Sequence, residues 1–125
     1  MSAPREGARV WLIPDGHLPV QSSGEQVSHE AICVLNSTGE DAALSLTFYF
    51  EDREPIRSTA LPVTAERTRH FRLDRPQEIG GVEIPRGVPY AMRVESSVPV
   101  SVQYSRLDTS QSALALMTSI AFPVA

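Results

Sequence analysis

The sequence has 125 residues, of which 42% are hydrophobic and 21% charged, and its formal net charge is −4. These totals predict one globular domain, residues 1–125, that buries a hydrophobic core without metal or disulfide support. They exclude a transmembrane helix, because no apolar stretch approaches the roughly 20 residues that such a helix needs. The acidic balance also gives no long-range attraction for a phosphate backbone.

Two features predict a cytoplasmic location. The single cysteine, Cys33, excludes an internal disulfide and fits a reducing compartment. Residues 1–7 lack the apolar core of a secretory signal peptide. We therefore expect a soluble cytoplasmic protein.

The chain is divided into short segments by ten prolines and seven glycines, which is typical of an all-β fold. We expect a two-sheet antiparallel β-sandwich of about eight or nine short strands. In chain order, the predicted strands are 9–13, 31–35, 42–50, 56–63, 67–73, 90–95, 98–105 and 117–122. The stretch 108–122 has a second interpretation, because Asp108 with Gln111 fits the cap of a short helix.

The clearest strand is 42–50, where apolar side chains alternate strictly with small or polar ones. The run 31–35 is apolar on both faces, as in a central strand. With turn-forming residues between them, the two segments predict a hairpin. Ser96-Ser97 predicts a second turn, between 90–95 and 98–105.

No residue pattern indicates catalysis, and we predict no catalytic residue, cofactor or metal. The sequence has no Gly-x-Ser-x-Gly motif, and Ser-x-x-Lys is excluded because there is no lysine. Cys33 with His29 is a conceivable dyad, but an apolar run disfavours a thiolate, so a buried structural cysteine is favoured. His29 and Glu30 point to opposite faces of a strand and cannot share a metal.

An arginine-rich segment, residues 66–75, has two interpretations. Its arginines Arg67, Arg69 and Arg72 are candidate phosphate contacts, with Phe71 stacking on a base. The alternative is a solvated strand that pairs with the acidic loop 51–54 or contacts another subunit. We favour the second interpretation, because the whole molecule repels polyanions.

Two clusters suggest recognition of a small molecule. Trp11 precedes a loop of turn-forming residues at 13–19, and an aromatic face beside polar groups suits a sugar-like ligand. A core tryptophan is the competing interpretation. Gln103, Arg106 and Asp108 form the second cluster, for which an internal Arg106–Asp108 ion pair is the simpler explanation.

These segments together resemble the sensory rhodopsin transducer family, in register from about residue 11 to residue 122. The motifs that carry the resemblance are Trp11, Ser28-His29-Glu30, Cys33-Val34-Leu35-Asn36, Arg67-Thr68-Arg69-His70 and Val102-Gln103-Tyr104-Ser105-Arg106-Leu107-Asp108.

The resemblance implies a β-sandwich that assembles as a cytoplasmic homotetramer. It also implies a membrane sensor of the rhodopsin type as a partner, weak DNA contact, and small polar ligands such as sugars. The ligand-binding positions that it implies are Trp11, His29, Glu30, His70, Gln103, Arg106 and Asp108. It assigns none of them a catalytic role.

The resulting hypothesis is a non-enzymatic signalling or ligand-binding module. One alternative is a weak DNA-binding regulator that uses Arg67, Arg69 and Arg72. A less favoured alternative is an accessory protein or enzyme of carbohydrate metabolism. Glycoside hydrolysis needs two carboxylates across a cleft, and no spacing singles out a pair such as Glu30 and Asp108.

Overall fold

The computed structural model describes residues 6–24, 26–111 and 113–124, so residues 1–5 of the N-terminal segment considered above lie outside it. The strands are β1 (Ala8–Gly16), β2 (His29–Asn36), β3 (Ala42–Phe50), β4 (Ile56–Val63), β5 (Arg67–Arg72), β6 (Tyr90–Asp108), β7 (Ala115–Ile120) and β8 (Phe122–Val124). The one helical element within these ranges is a 3₁₀ turn at Pro76–Glu78. In the described ranges, no helix has the length and apolar character to cross a membrane.

The strands form two antiparallel sheets that share β6. In sheet A the order is β4-β3-β6-β1-β8, and in sheet B it is β5-β2-β6-β7. The predicted all-β, two-sheet architecture is therefore confirmed. The strand predictions at 42–50 and 56–63 coincide with β3 and β4.

The strand β6 connects the sheets, and the turn predicted at Ser96-Ser97 is wrong. This strand runs unbroken for 19 residues, about 60 Å at the usual rise per residue. Its first part pairs with β3 as far as Ser96, and its second part pairs with β2 from Ser101. The two serines lie where the strand passes from sheet A to sheet B.

The hairpin predicted from 31–35 and 42–50 is also wrong. β2 pairs with β5 and β6, whereas β3 pairs with β4 and β6, so the connection between β2 and β3 crosses from one sheet to the other. The buried Asn36 supports this crossing, because its amide donates to the carbonyls of Glu40 (2.7 Å) and Val63 (3.1 Å).

The ambiguous stretch after Asp108 forms strands in its described part rather than a helix. β7 pairs with the end of β6, and β8 pairs with β1, so this C-terminal ribbon (residues 115–124) contacts both sheets. Every residue of β7 and β8 is exposed, including Leu116 and Phe122. The ribbon therefore adds backbone hydrogen bonds at the sheet edges but contributes little to the core.

The core lies between the sheets and is built mainly from alternate residues of β1 to β6. Leu44, Leu46 and Phe48 are fully buried on β3. Trp11 is 6% exposed, and its indole N–H donates to the carbonyls of Ala8 and Val100, each at 3.0 Å. Tryptophan 11 is thus a packed and hydrogen-bonded part of the core.

This placement of Trp11 predicts a large effect of mutation on stability. Trp11→Ala should lower the free energy of unfolding by roughly 3–5 kcal/mol, because it leaves a cavity and two carbonyls without their donor. Urea denaturation measures this loss. Tyr49→Ala, on the solvent side of β3, is the control; equal losses for both variants would contradict a core role for Trp11.

Candidate functional site

The centre of the site is a carboxylate with no exposed surface, that of Glu30. It lies on β2, on the face that points between the sheets, among the apolar positions of that strand. A buried charge is costly unless it is paired and hydrogen-bonded. The surrounding groups must therefore compensate for the lost water.

The donors to Glu30 come from three parts of the chain. The hydroxyls of Tyr90 and Tyr104, in the first and second halves of β6, both donate to the carboxylate. The amide of His17, directly after β1, donates at 3.0 Å to both oxygens. Arg106 Nε donates at 2.8 Å and completes an ion pair. Glu30 thereby joins β1, β2 and both halves of β6.

Burial dominates the electrostatics of this cluster. It raises the pKa of Glu30 above its usual value, although hydrogen bonds from Tyr90, the His17 amide and Arg106 act in the opposite direction. Burial together with the nearby Glu30 charge raises the pKa of Tyr90 well above its usual value. Tyr90 therefore remains a neutral hydrogen-bond donor at physiological pH.

A second carboxylate, that of Asp15, extends the cluster to the surface. Asp15 has an 85% exposed side chain and lies 3.7 Å from Nη2 of Arg106. This distance is an ion-pair contact and not a hydrogen bond, and Nη2 is buried without a hydrogen-bond partner among the described residues. Arg106 consequently lies between one buried and one exposed carboxylate.

An open cleft of about 230 Å³ lies beside Asp15. Asp15 and the buried Tyr104 line it, and the C-terminal ribbon contributes Ser119 and Phe122 to the lining. The cleft thus combines apolar walls with a carboxylate and a hydroxyl. This combination suits a small ligand that has both polar and apolar surfaces.

The ligand-binding residues predicted from sequence lie in separate places. Glu30 and Arg106 are in direct contact between the sheets. Trp11 is enclosed in the core and does not reach the cleft. Three others lie on the outer face of sheet B. They are His29, His70 and Gln103.

The outer face of sheet B has a shallow groove of its own, of about 300 Å³, next to Cys33. His70 and Gln103 are the cross-strand neighbours of Cys33 on either side. Burial raises the pKa of the Cys33 thiol, which disfavours a reactive thiolate. His29 instead contacts the carbonyl of Val27 at 2.8 Å through Nδ1.

Asp108 makes a local turn rather than the suggested ion pair with Arg106. Its Oδ1 accepts from the backbone N–H of Ser110 at 2.9 Å and from the hydroxyl of the same residue at 2.6 Å. These bonds lower the pKa of Asp108. Arg106 pairs with Glu30 and Asp15, so the simple explanation of an Arg106–Asp108 pair is wrong.

The three arginines considered for nucleic acid do not form one stripe. Arg67 and Arg69 lie on the side of β5 that carries the buried Phe71, and the Arg69 guanidinium stacks on that ring at 4.4 Å. Arg72 lies on the opposite side and forms a bidentate ion pair with Asp74. None of the three arginines pairs with the acidic loop 51–54, so that part of the favoured interpretation is wrong. Contact with DNA stays a prediction.

Metal-binding geometry is not found in the described ranges, where no three His, Cys, Asp or Glu side chains converge. The chemistry available in the cluster is hydrogen bonding and ion pairing.

Sequence reasoning missed three members of the site, namely Asp15, Tyr90 and Tyr104. Asp15 belongs to the stretch 13–19, which the sequence predicts as a loop beside Trp11. In the structure it lies in β1, and its partner is Arg106 and not the tryptophan. Both tyrosines occupy core-facing positions of an alternating strand. A buried tyrosine hydroxyl needs a partner, and this requirement is the signal that could have linked them to Glu30.

Two features together define the class of protein: a β-sandwich with a shared central strand, and an internal ionic cluster next to a surface cleft. The family model described as Anabaena sensory rhodopsin transducer matches residues 6–123. This chain therefore belongs to the Anabaena sensory rhodopsin transducer family.

The solved structures that are similar to this one include the following two. The crystal structure of Thermotoga maritima 1070 has a TM-score of 0.86 and 38% sequence identity, and the match covers 96% of this chain and 97% of that one. The Anabaena sensory rhodopsin transducer has a TM-score of 0.71 and 35% identity, with 86% and 94% covered. No curated protein matches the sequence.

The raised pKa of Glu30 predicts how stability depends on pH. Folding favours the protonated carboxyl, so the stability that Glu30 contributes is fully present below its unfolded pKa of about 4.5 and is lost as pH rises through the folded pKa. Glu30→Gln removes this titration. Relative to the variant, the wild type should therefore become less stable as pH increases above 4.5. Urea unfolding of both proteins at several pH values measures the difference; a difference that is constant, or that grows in favour of the wild type, would contradict the prediction.

Proposed function

We propose that this protein is a non-enzymatic signalling module that binds a small, uncharged polar ligand, a sugar or sugar derivative, in the cleft beside Asp15. The observation that carries the proposal is the position of the Asp15 carboxylate. It is exposed at the cleft, yet it lies 3.7 Å from Arg106, which the buried Glu30 holds in place. A surface carboxylate with such support is oriented for recognition.

The charges of the cluster support an uncharged ligand. Asp15 and Glu30 provide two carboxylates against the single guanidinium of Arg106. An anionic ligand would meet repulsion at this end of the cleft, whereas a hydroxyl group can donate a hydrogen bond to a carboxylate oxygen. A ligand with several hydroxyls fits this arrangement.

The proposed route of the signal is from the cleft to the whole sandwich. Glu30 is bonded to Tyr90 in the sheet A half of β6 and to Tyr104 in the sheet B half. A ligand that hydrogen-bonds to Asp15 and moves its carboxylate away from Arg106 changes the electrostatic environment of Arg106. Because Arg106 is paired with Glu30, the change alters the contacts of Glu30 with both sheets. The packed interior makes such a shift cooperative rather than local.

We further propose a membrane photosensor of the rhodopsin type as a partner of the protein in the cytoplasm. The support is the family itself and the 35% identity to the Anabaena sensory rhodopsin transducer.

Assembly as a homotetramer is part of the same proposal. The edge strand β7 has no charged residue and no proline, and Leu116 on it is 72% exposed. An unprotected apolar edge of this kind is normally covered. Sedimentation of the folded protein should report the mass of four chains, and a monomer would contradict the assembly.

The binding proposal predicts a defined effect of Asp15→Asn. The exchange keeps the shape of a largely exposed side chain and removes its charge, so the fold should persist. Affinity for the sugar that binds best should fall about tenfold or more, because a hydrogen bond to a charged group contributes roughly 1.5–3 kcal/mol. Isothermal titration calorimetry with D-glucose, D-galactose, D-mannose and D-xylose measures the change.

Asp52→Asn is the matched control, since Asp52 is an exposed aspartate that also pairs with an arginine but lies outside the cleft. It should bind like the wild type. Unchanged affinity of Asp15→Asn would refute the role of Asp15. No heat with any sugar, from protein shown to be folded, would overturn the ligand class.

A further inference from the structure

An aromatic ring that is largely exposed lies on the wall of the cleft. Phe122, the first residue of β8, is 64% exposed and lines the cleft together with Leu12, its cross-strand neighbour on β1. Leu12 is itself 39% exposed. These two side chains give the cleft an apolar surface that faces solvent and takes little part in the core.

The backbone around Phe122 is fixed although the side chain is exposed. The preceding residue, Ala121, is 3% exposed, and its N–H donates to the carbonyl of Val102 at 3.1 Å. On the other side, Pro123 and Val124 pair with Trp11 and Val10 of β1. The ring is therefore held on a supported strand, so binding a ligand against it requires little ordering of the chain.

The cleft combines apolar and polar groups. Phe122 and Leu12 provide apolar surface, whereas Asp15 and Ser119 provide a carboxylate and a hydroxyl. A sugar ring also has both kinds of surface, because C–H groups cover one face and hydroxyls surround the rim. The volume of about 230 Å³ is below the ~300–1,000 Å³ of pockets for drug-sized ligands, and it fits one small ring.

We infer that Phe122 is the stacking platform of this cleft, and that the ligand is a single pyranose ring whose C–H face lies on the phenyl ring. The electron-rich face of an aromatic ring attracts such C–H groups, and their contact removes apolar surface from water. Trp11, the aromatic residue that the sequence suggested for this role, is enclosed in the core. The inference rests on the proposed function and adds the ring shape of the ligand and the residue that selects it.

The test compares a ring with an open chain of the same polarity. Calorimetric titrations use the best-binding pyranose from the panel above and D-sorbitol, an acyclic polyol, against three variants. Phe122→Leu keeps an apolar side chain but removes the aromatic face, and Phe122→Trp restores an aromatic face. Tyr49→Leu, a partly exposed aromatic residue outside this cleft, is the matched control.

The expected result is a loss of affinity for the pyranose and not for the acyclic polyol. Phe122→Leu should weaken pyranose binding by about 2- to 12-fold, the range for an aromatic contact of ~0.5–1.5 kcal/mol. Phe122→Trp and Tyr49→Leu should bind the pyranose like the wild type. Any affinity for D-sorbitol should be the same in all four proteins.

Four outcomes would overturn the inference. If the wild type binds a pyranose and Phe122→Leu binds it equally well, the platform is refuted while the proposed function stands. If Phe122→Leu weakens pyranose and sorbitol binding equally, the residue does not select a ring. If the variant has a smaller mass in sedimentation than the wild type, Phe122 belongs to a subunit contact. Absence of any sugar binding to the wild type refutes the proposed function as well.

Discussion

The architecture depends on a carboxylate in the interior. An unpaired charge at the position of Glu30 would cost several kcal/mol, so the fold requires the donors that surround it. Those donors are the hydroxyls of Tyr90 and Tyr104, the amide of His17 and the guanidinium of Arg106. They come from the end of β1 and from both halves of β6, so the cluster links the two sheets to each other.

The same cluster explains why the cleft lies where it does. Arg106 neutralises Glu30 inside the protein and holds Asp15 outside it, and this places an oriented carboxylate at the cleft. The C-terminal ribbon adds Ser119 and Phe122 to the lining of the cleft. A ligand in this cleft would thus be in contact with the interior through a short series of charged groups. This relation between surface and core is what a module that relays a signal needs.

The sequence allowed the strands to be predicted but not their pairing. Strict alternation located β3, yet the partner of β3 was assigned by proximity in the chain, whereas β6 and β4 are its neighbours. In β6 the turn propensity of Ser96-Ser97 was given more weight than the alternation, although core-facing residues recur at every second position from Tyr90 to Tyr104. The unbroken period of two was the stronger physical signal. For the site, the family motif pointed to Glu30 and Arg106 separately as ligand-binding positions, but it did not indicate that they contact each other. Contacts between residues 76 positions apart have no local sequence pattern.

We propose that the cleft joined to the Glu30–Arg106 pair, and not the outer face of sheet B, receives the ligand. Two-dimensional ¹H–¹⁵N NMR during titration with the best-binding pyranose distinguishes these two locations. We expect saturable shifts for the backbone amides of His17 and Ser119 and for the Arg106 Nε–H group, with one common dissociation constant. Shifts confined to the amides of Cys33 and His70 would contradict it.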